Sequence, residues 1–258
     1  MAGRTFAIGD IHGETAHLSR LLDQLPTLDA ADTLVFIGDY LNRGPHSAAV
    51  IARLMAMPSH TPAKVVCLRG NHEDAWLRVR REGWDEFVFP PSHGCLATLR
   101  SYLGRPAPAA GEKASHAEMN LLASGDFFPA AVIDWMTALP FWYEDAHGLY
   151  VHAGLPRGPA GFKHPSTVTP PALLAWVRTD DFTRHYDGKR VLFGHTPVGL
   201  LPLELSTYTP DDPTDVWESE HAIGLDTGCG VGGFLTAIEL PSLRVYESRT
   251  AVRAKEGV

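Results

Sequence analysis

An α/β fold is what this sequence predicts, on three observations. Short β-branched runs recur, each ending in glycine and a polar residue: FAIGD at 6–10, LVFIGD at 34–39, VVCLRGN at 65–71, LYVHAG at 149–154 and VLFGH at 191–195. Helical periodicity fills the gap between the first two, with Leu18, Leu21, Leu22 and Leu25 at i, i+3, i+4 and i+7. The chain, 258 residues at 45% hydrophobic and 20% charged, can bury one large core, so a single domain over 1–258 is expected.

The first run, the helix over 14–25 and the second run make a βαβ unit. GPHSAAVIARLMAM then predicts a helix capped by Ser47, with Val50, Ile51 and Leu54 inward. A further helix, EDAWLRVRRE, follows GNH. Residues 83–140 lack the strand rhythm and hold GRPAPAAG, which predicts a mainly helical cap inserted in the same domain. Its last part, FFPAAVIDWMTALPFWY, is interrupted by Pro129, Asp134 and Pro140 and falls short of the ~20 apolar residues of a membrane span, so it reads as a buried helix and then a loop. Residues 157–171 and 202–215, rich in proline, are expected to be loops. Two alternating runs close the chain, GGFLTAIEL and LRVYESRTAVR, suited to antiparallel pairing.

Acids outnumber bases 30 to 22 and no run of five like charges occurs, so neither nucleic acid nor a membrane surface is expected as a partner. Three widely spaced cysteines, Cys67, Cys95 and Cys229, argue against a disulfide framework. With the first strand beginning by Thr5, no export signal is legible, and a cytoplasmic location is expected.

Active sites of open α/β sheets lie beyond the carboxyl ends of the strands, so the polar run endings should share one rim. That rim collects Asp10 and His12 from GDIHG, Asp39 from GDYLNRG, Asn71 and His72 from GNHE, His152 from VHAG and His195 from GHT. Oxygen and imidazole donors without thiolate suit a catalytic manganese, iron or zinc ion. Six donors exceed one ion's needs. With Asp39 as bridge, one ion would take Asp10, His12 and Asp39, and the other Asp39, Asn71, His152 and His195. Two ions roughly 3.5 to 4 Å apart can hold a hydroxide and clamp both oxygens of an in-line displacement at phosphorus. Arg43, Arg69 and Arg178 are placed for the substrate, since a guanidinium fork matches phosphate oxygens. The strand-end glycines, Gly70 and Gly194 among them, are expected to allow sharp turns. The remaining histidines, including His46, His93 and His221, read as solvated or capping, Cys229 as exposed in a glycine loop, and Trp76, Trp84, Trp135, Trp142 and Tyr143 as packing.

In order and spacing, GDIHG, GDYLNRGP, LRGNHE, HAG and GHTP resemble the motifs of PPP-type metallophosphatases, the calcineurin-like family that includes bacterial serine/threonine protein phosphatases. The resemblance runs from residue 8 to about 240, through GLDTGCGVGGFLTAIEL. It implies a central β-sandwich flanked by helices, two divalent ions on the ligands above, and His72 as the group that protonates the leaving oxygen. The family usually writes GDxVDRG, with aspartate where this chain has Asn42. Asn42 is therefore expected to orient His72 through its amide oxygen while lending no charge. Diadenosine tetraphosphate hydrolases of the family also lack that aspartate. The sequence thus predicts a metal-dependent phosphomonoesterase acting on phosphoprotein or small phosphoesters, first as a protein serine/threonine phosphatase, with diadenosine tetraphosphate hydrolysis as the alternative.

Overall fold

The computed structural model describes residues 3–178, 180–208 and 212–249. The chain begins with a βαβαβα run: β1 (Thr5–Ile8), α1 (Thr15–Gln24), β2 (Thr33–Phe36), α2 (Ser47–Ala56), β3 (Lys64–Cys67) and α3 (Asn71–Glu82). Four helices follow, α4 (Asp85–Val88), α5 (Cys95–Tyr102), α6 (His116–Ser124) and α7 (Ala130–Ala138), as the helical reading of 83–140 expects. Next come β4 (Trp142–Glu144), β5 (Leu149–Val151), β6 (Arg157–Gly158), β7 (Gly161–Phe162), α8 (Leu173–Trp176) and α9 (Asp180–His185). The last elements are β8 (Val191–Phe193), β9 (Trp217–Glu218), β10 (Ala222–Gly224), β11 (Thr236–Leu240) and β12 (Arg244–Glu247).

Two five-stranded sheets result, ordered β12-β11-β1-β2-β3 and β4-β5-β8-β10-β9. In the first, β1, β2 and β3 pair in parallel while β11 and β12 join antiparallel; in the second, β5, β8 and β10 are parallel and β4 and β9 antiparallel. Side chains alternate across each strand. Phe6, Ile8, Leu34 and Phe36 face the helices on one side, whereas Ala7, Val35 and Ile37 meet Tyr150, Leu192 and Ile223 of the other sheet. Leu149, Val151, Val191 and Phe193 face outward again, under α8 and α9. Because strands buried on both faces need apolar residues at every position, the runs read as continuous rather than alternating.

Four local expectations are revised. Ser47 is the first residue of α2 rather than its cap; its hydroxyl accepts the Asn42 N–H at 3.1 Å. The helix within 127–143 buries only Val132 and Met136, and the expected loop contains β4, paired with β5 through Trp142 and Val151. Asp145 closes that hairpin by accepting the N–H groups of His147 (2.8 Å) and Gly148 (3.1 Å). The 157–171 loop holds the small β6–β7 hairpin. The final run is β12 through Glu247; its stretch from 250 to 253 lies outside the described residues. No described helix is long and apolar enough to cross a membrane.

Glu118 anchors the helical segment. Its carboxylate accepts from the Ser115 N–H (2.9 Å), the Ser115 hydroxyl (2.8 Å) and the Arg100 Nε (2.9 Å), closing a capping box on α6 and tying it to α5. The Arg100 hydrogen bond, then that from Ser115, pulls its pKa from about 4.5 down to about 2. A depressed carboxylate contributes stability above its unfolded pKa and loses it as pH falls through its folded one. Glu118→Gln should cost roughly 2 kcal/mol at pH 7, and urea denaturation should show the two proteins' stabilities converging between about pH 4.5 and 2. A gap that does not shrink with acid would assign the loss to packing instead.

Candidate active site

The carboxyl ends of β1, β2, β3, β5 and β8 deliver Asp10, His12, Asp39, Asn71, His72, His152 and His195 to one place, where all seven side chains are buried. The backbone is strained there. Among the described non-glycine residues with positive φ, five are site residues: His12 (48°), Asp39 (55°), Asn42 (70°), Arg43 (64°) and His195 (64°). Left-handed backbone costs about 1–3 kcal/mol per residue and persists where surrounding structure enforces it, as at functional sites. Gly70 and Gly194 serve a purpose other than the expected turn. A Cβ on either would run into a carboxylate, of Asp39 and Asp10 respectively, so glycine makes room for the acids.

Asp39 lies at the centre. Its Oδ2 is 3.6 Å from His12 Nε2 and 3.7 Å from His72 Nε2, and its Oδ1 is 3.3 Å from His152 Nε2. Asn71 Oδ1 lies 3.0 Å from His152 Nε2 and 2.8 Å from His195 Nδ1. Asp10 stands 3.9 Å from His12 Nε2 and accepts the His195 N–H at 3.1 Å. Two donor clusters thus share Asp39, one with His12 and His72 and one with His152 and His195, each with its donor atoms within 4.8 Å of one another. His72, expected as an acid, also borders the first cluster through Nε2.

The tautomers show what the clusters can hold. His12 Nδ1 is 2.9 Å from the Leu41 carbonyl, so it carries the proton, and Nε2 turns a buried lone pair with no hydrogen-bond partner toward two carboxylates. His152 repeats this, with Nδ1 3.0 Å from the Ile37 carbonyl and Nε2 facing Asp39 and Asn71 oxygens. Lone pairs converging on one point need a cation, and carbonyls behind the imidazoles are the usual device for aiming metal ligands. The residues therefore fit two divalent ions. Without metal, a proton takes that role at His152: Asp39 overcomes burial and pushes the imidazole up to about 9. Burial alone would raise the Asp39 carboxyl, but His152, His72 and His12 hold it well below the usual carboxylate range. Burial, with Asp226 adding to it, raises Asp10 well above that range.

Glu73 fixes the Asp39 turn from below. Its carboxylate accepts the N–H groups of Asp39 (3.0 Å), Tyr40 (2.8 Å) and Gly70 (3.0 Å), while Asp39 Oδ1 accepts the His72 N–H at 3.0 Å. Asn42 holds the other side, in the opposite sense to the expectation. Trp76 Nε1, which can only donate, gives its proton to Asn42 Oδ1 at 2.9 Å, and the Thr98 hydroxyl lies 2.8 Å from the same oxygen. The amide NH2 is left to face His72 Nδ1, at 2.7 Å. A donor at Nδ1 places the neutral ring's proton on Nε2, toward Asp39, and disfavours a second proton. Burial, which Asp39 opposes and Arg43 reinforces, lowers His72 to about 4.

Asn42→Asp reverses that relation while keeping acceptors for Trp76 and Thr98. Turnover of phosphoserine peptides, whose alkoxide must be protonated, should rise about ten-fold relative to p-nitrophenyl phosphate, whose leaving group needs no proton. Equal effects on both substrates would show that Asn42 does not act through His72.

The three arginines separate. Arg43 has a buried Nε without a hydrogen-bond partner among the described residues and interacts electrostatically with His12, His72 and Asp226. Arg69 also has a buried Nε without a partner among the described residues, but the rest of its guanidinium is braced, donating to the Thr137 carbonyl, 3.6 Å from Asp74 and over the Phe141 ring at 4.6 Å. Arg178 reaches the rim, where its Nε donates to His195 Nε2 at 2.9 Å. Cys229, expected to be exposed, is buried, with Sγ 3.4 Å from the Ile11 carbonyl. His93 is half-buried and caps as expected, its Nδ1 pairing with the Phe87 carbonyl in the last turn of α4, while its ring lies 6.3 Å from that of His72.

Sequence reasoning missed Glu73, Thr98 and Asp226. Asp226 is buried beside the acids, its Oδ2 without a hydrogen-bond partner among the described residues. It follows β10 as Asp10 follows β1, and that repeated strand-then-acid pattern was the available signal. Glu73 had a signal too, as a glutamate three residues into a helix.

The sequence pattern described as calcineurin-like phosphoesterase matches residues 3–199. A protein of Janthinobacterium sp. (strain Marseille) named symmetrical bis(5'-nucleosyl)-tetraphosphatase is 26% identical, with 98% of each chain covered. One of the same name from Bordetella pertussis is 30% identical, with 96% of each covered. A crystal structure provisionally named a diadenosine tetraphosphatase superposes with TM-score 0.58 at 22% identity, covering 96% of this chain and 93% of the other, which shows the shared fold.

Proposed function

The chain belongs to the calcineurin-like phosphoesterase family, and from that premise we propose that it hydrolyses dinucleoside tetraphosphates symmetrically. Water adds at an inner phosphorus, one P–O–P bond breaks, and two nucleoside diphosphates leave. The main expectation from sequence, a protein serine/threonine phosphatase, gives way here to its alternative, because the tetraphosphatases named above match this chain along almost its whole length.

One observation carries the choice: the Asn42 amide NH2 on His72 Nδ1. That arrangement favours a neutral imidazole, which can hydrogen-bond a phosphate oxygen through Nε2–H but is a weak partner for an alkoxide. A leaving phosphate, with a second pKa of about 6, departs without a strong acid. Asp10, His12, Asp39, Asn71, His152 and His195 would hold two divalent ions, manganese by preference with iron or zinc also suited to oxygen and nitrogen donors. When bound, those ions supply Lewis acidity at phosphorus and a nucleophile from water. The chain's own part is to aim the ligands through Glu73 and the Leu41 and Ile37 carbonyls, and to set Arg43 against the phosphate charge.

With manganese added, diadenosine tetraphosphate should yield only ADP, at a kcat/KM at least about ten-fold above that for a phosphoserine peptide. A preference for the peptide, or products of AMP and ATP, would overturn the proposal.

A further inference from the structure

We propose that the cavity between the α4–α5 segment, the loop before α6 and the turn at Gly230 is the subsite for one nucleoside of the substrate, its base lying against Phe89 and Met119. This deepens the dinucleotide reading and rests on it for the identity of the ligand. The cavity encloses about 700 Å³, within the ~300–1,000 Å³ span of small-molecule sites.

It opens directly off the phosphate site. Arg43 lines it, so the residue set against the phosphate charge is also part of its wall. Two of its other wall residues, Gly94 (φ 69°) and Gly230 (φ 84°), press against site backbone and side chains: a Cβ on Gly94 would strike the Arg43 backbone, and one on Gly230 would come to 2.6 Å from His12 Cβ and 3.3 Å from Arg43 Cβ. A third wall residue, Cys95, has Sγ 3.4 Å from Asn42 Nδ2. A ligand filling this space would thus border the residue that faces the phosphate.

Its chemistry suits a base. Phe89, Met119 and Val231 are among the six large apolar side chains exposed on the described surface, at 42%, 38% and 61%, and all three line this one cavity. Exposed apolar surface gathered beside a phosphate site calls for a planar, weakly polar group carried on an anion. At the rim stands Lys113, with no ion pair among the described residues, able to meet a further phosphate of the chain. A phosphoserine needs no such space.

The test compares AMP with ribose 5-phosphate as competitive inhibitors of p-nitrophenyl phosphate hydrolysis by the manganese-loaded enzyme. AMP should bind at least about ten-fold more tightly, the scale of one base stacked on an aromatic side chain. In Phe89→Ala/Met119→Ala, both positions being exposed, that advantage should fall below about three-fold, while Phe89→Tyr, which keeps the ring, should retain it. Equal inhibition by the two compounds in the wild type, or an advantage untouched in the double variant, would overturn the subsite. Wild-type enzyme that prefers AMP but does not cleave diadenosine tetraphosphate would keep the subsite and overturn the proposed reaction.

Discussion

Asp39→Asn should lower turnover by about a thousand-fold or more and reduce bound metal below two ions per chain. Asp39 alone presents one oxygen to each donor cluster, Oδ2 toward His12 and His72 and Oδ1 toward His152. An amide keeps one acceptor oxygen, loses the charge, and turns an NH2 toward imidazole lone pairs that need a cation. Folding should survive, because asparagine tolerates the left-handed backbone found at this position (φ 55°). Elemental analysis of the purified variant, with thermal unfolding as a check, separates loss of metal from loss of structure. A folded variant retaining two ions and full turnover would remove Asp39 from the role of bridge.

Arg43→Asn should cost roughly 2 to 4 kcal/mol of transition-state stabilisation, on the scale of losing one preorganised donor, with metal content unchanged. Asparagine is preferred to alanine because Arg43 also has positive φ, at 64°. Arg43 and Arg69 both keep a buried Nε without a hydrogen-bond partner among the described residues, but only at Arg43 does no hydrogen bond or ion pair to those residues engage the rest of the guanidinium, which is the physical reason for expecting the larger effect there. Arg69→Ala should cost less, its guanidinium already being committed to Thr137 and stacked on Phe141. Single-turnover kinetics at saturating substrate would measure both. Should Arg43→Asn lose its ions as Asp39→Asn does, the division between phosphate clamp and metal ligands would be wrong.

What could be read in the chain before folding was whatever lies within a few residues. Strand runs, the glycine that follows each, and the acid or imidazole one or two positions on are contiguous, and parallel pairing gathers those endings at the carboxyl edge of each sheet. The convergence of Asp10, His12, Asp39, Asn71, His152 and His195 on one place was legible for that reason, and so was the helical character of 83–140. Tertiary structure decided what depends on partners far along the chain. The direction of the Asn42 amide is set by Trp76, 34 positions away, and Thr98, 56 positions away. Asp226 joins the acids only because β10 pairs with β8 in the second sheet. The cavity off Arg43 draws its walls from residues 88–122 and 230–231, which no local spacing relates. A motif fixes which atoms can reach the site; their protonation, orientation and neighbours follow from hydrogen bonds and packing that form only when distant segments meet.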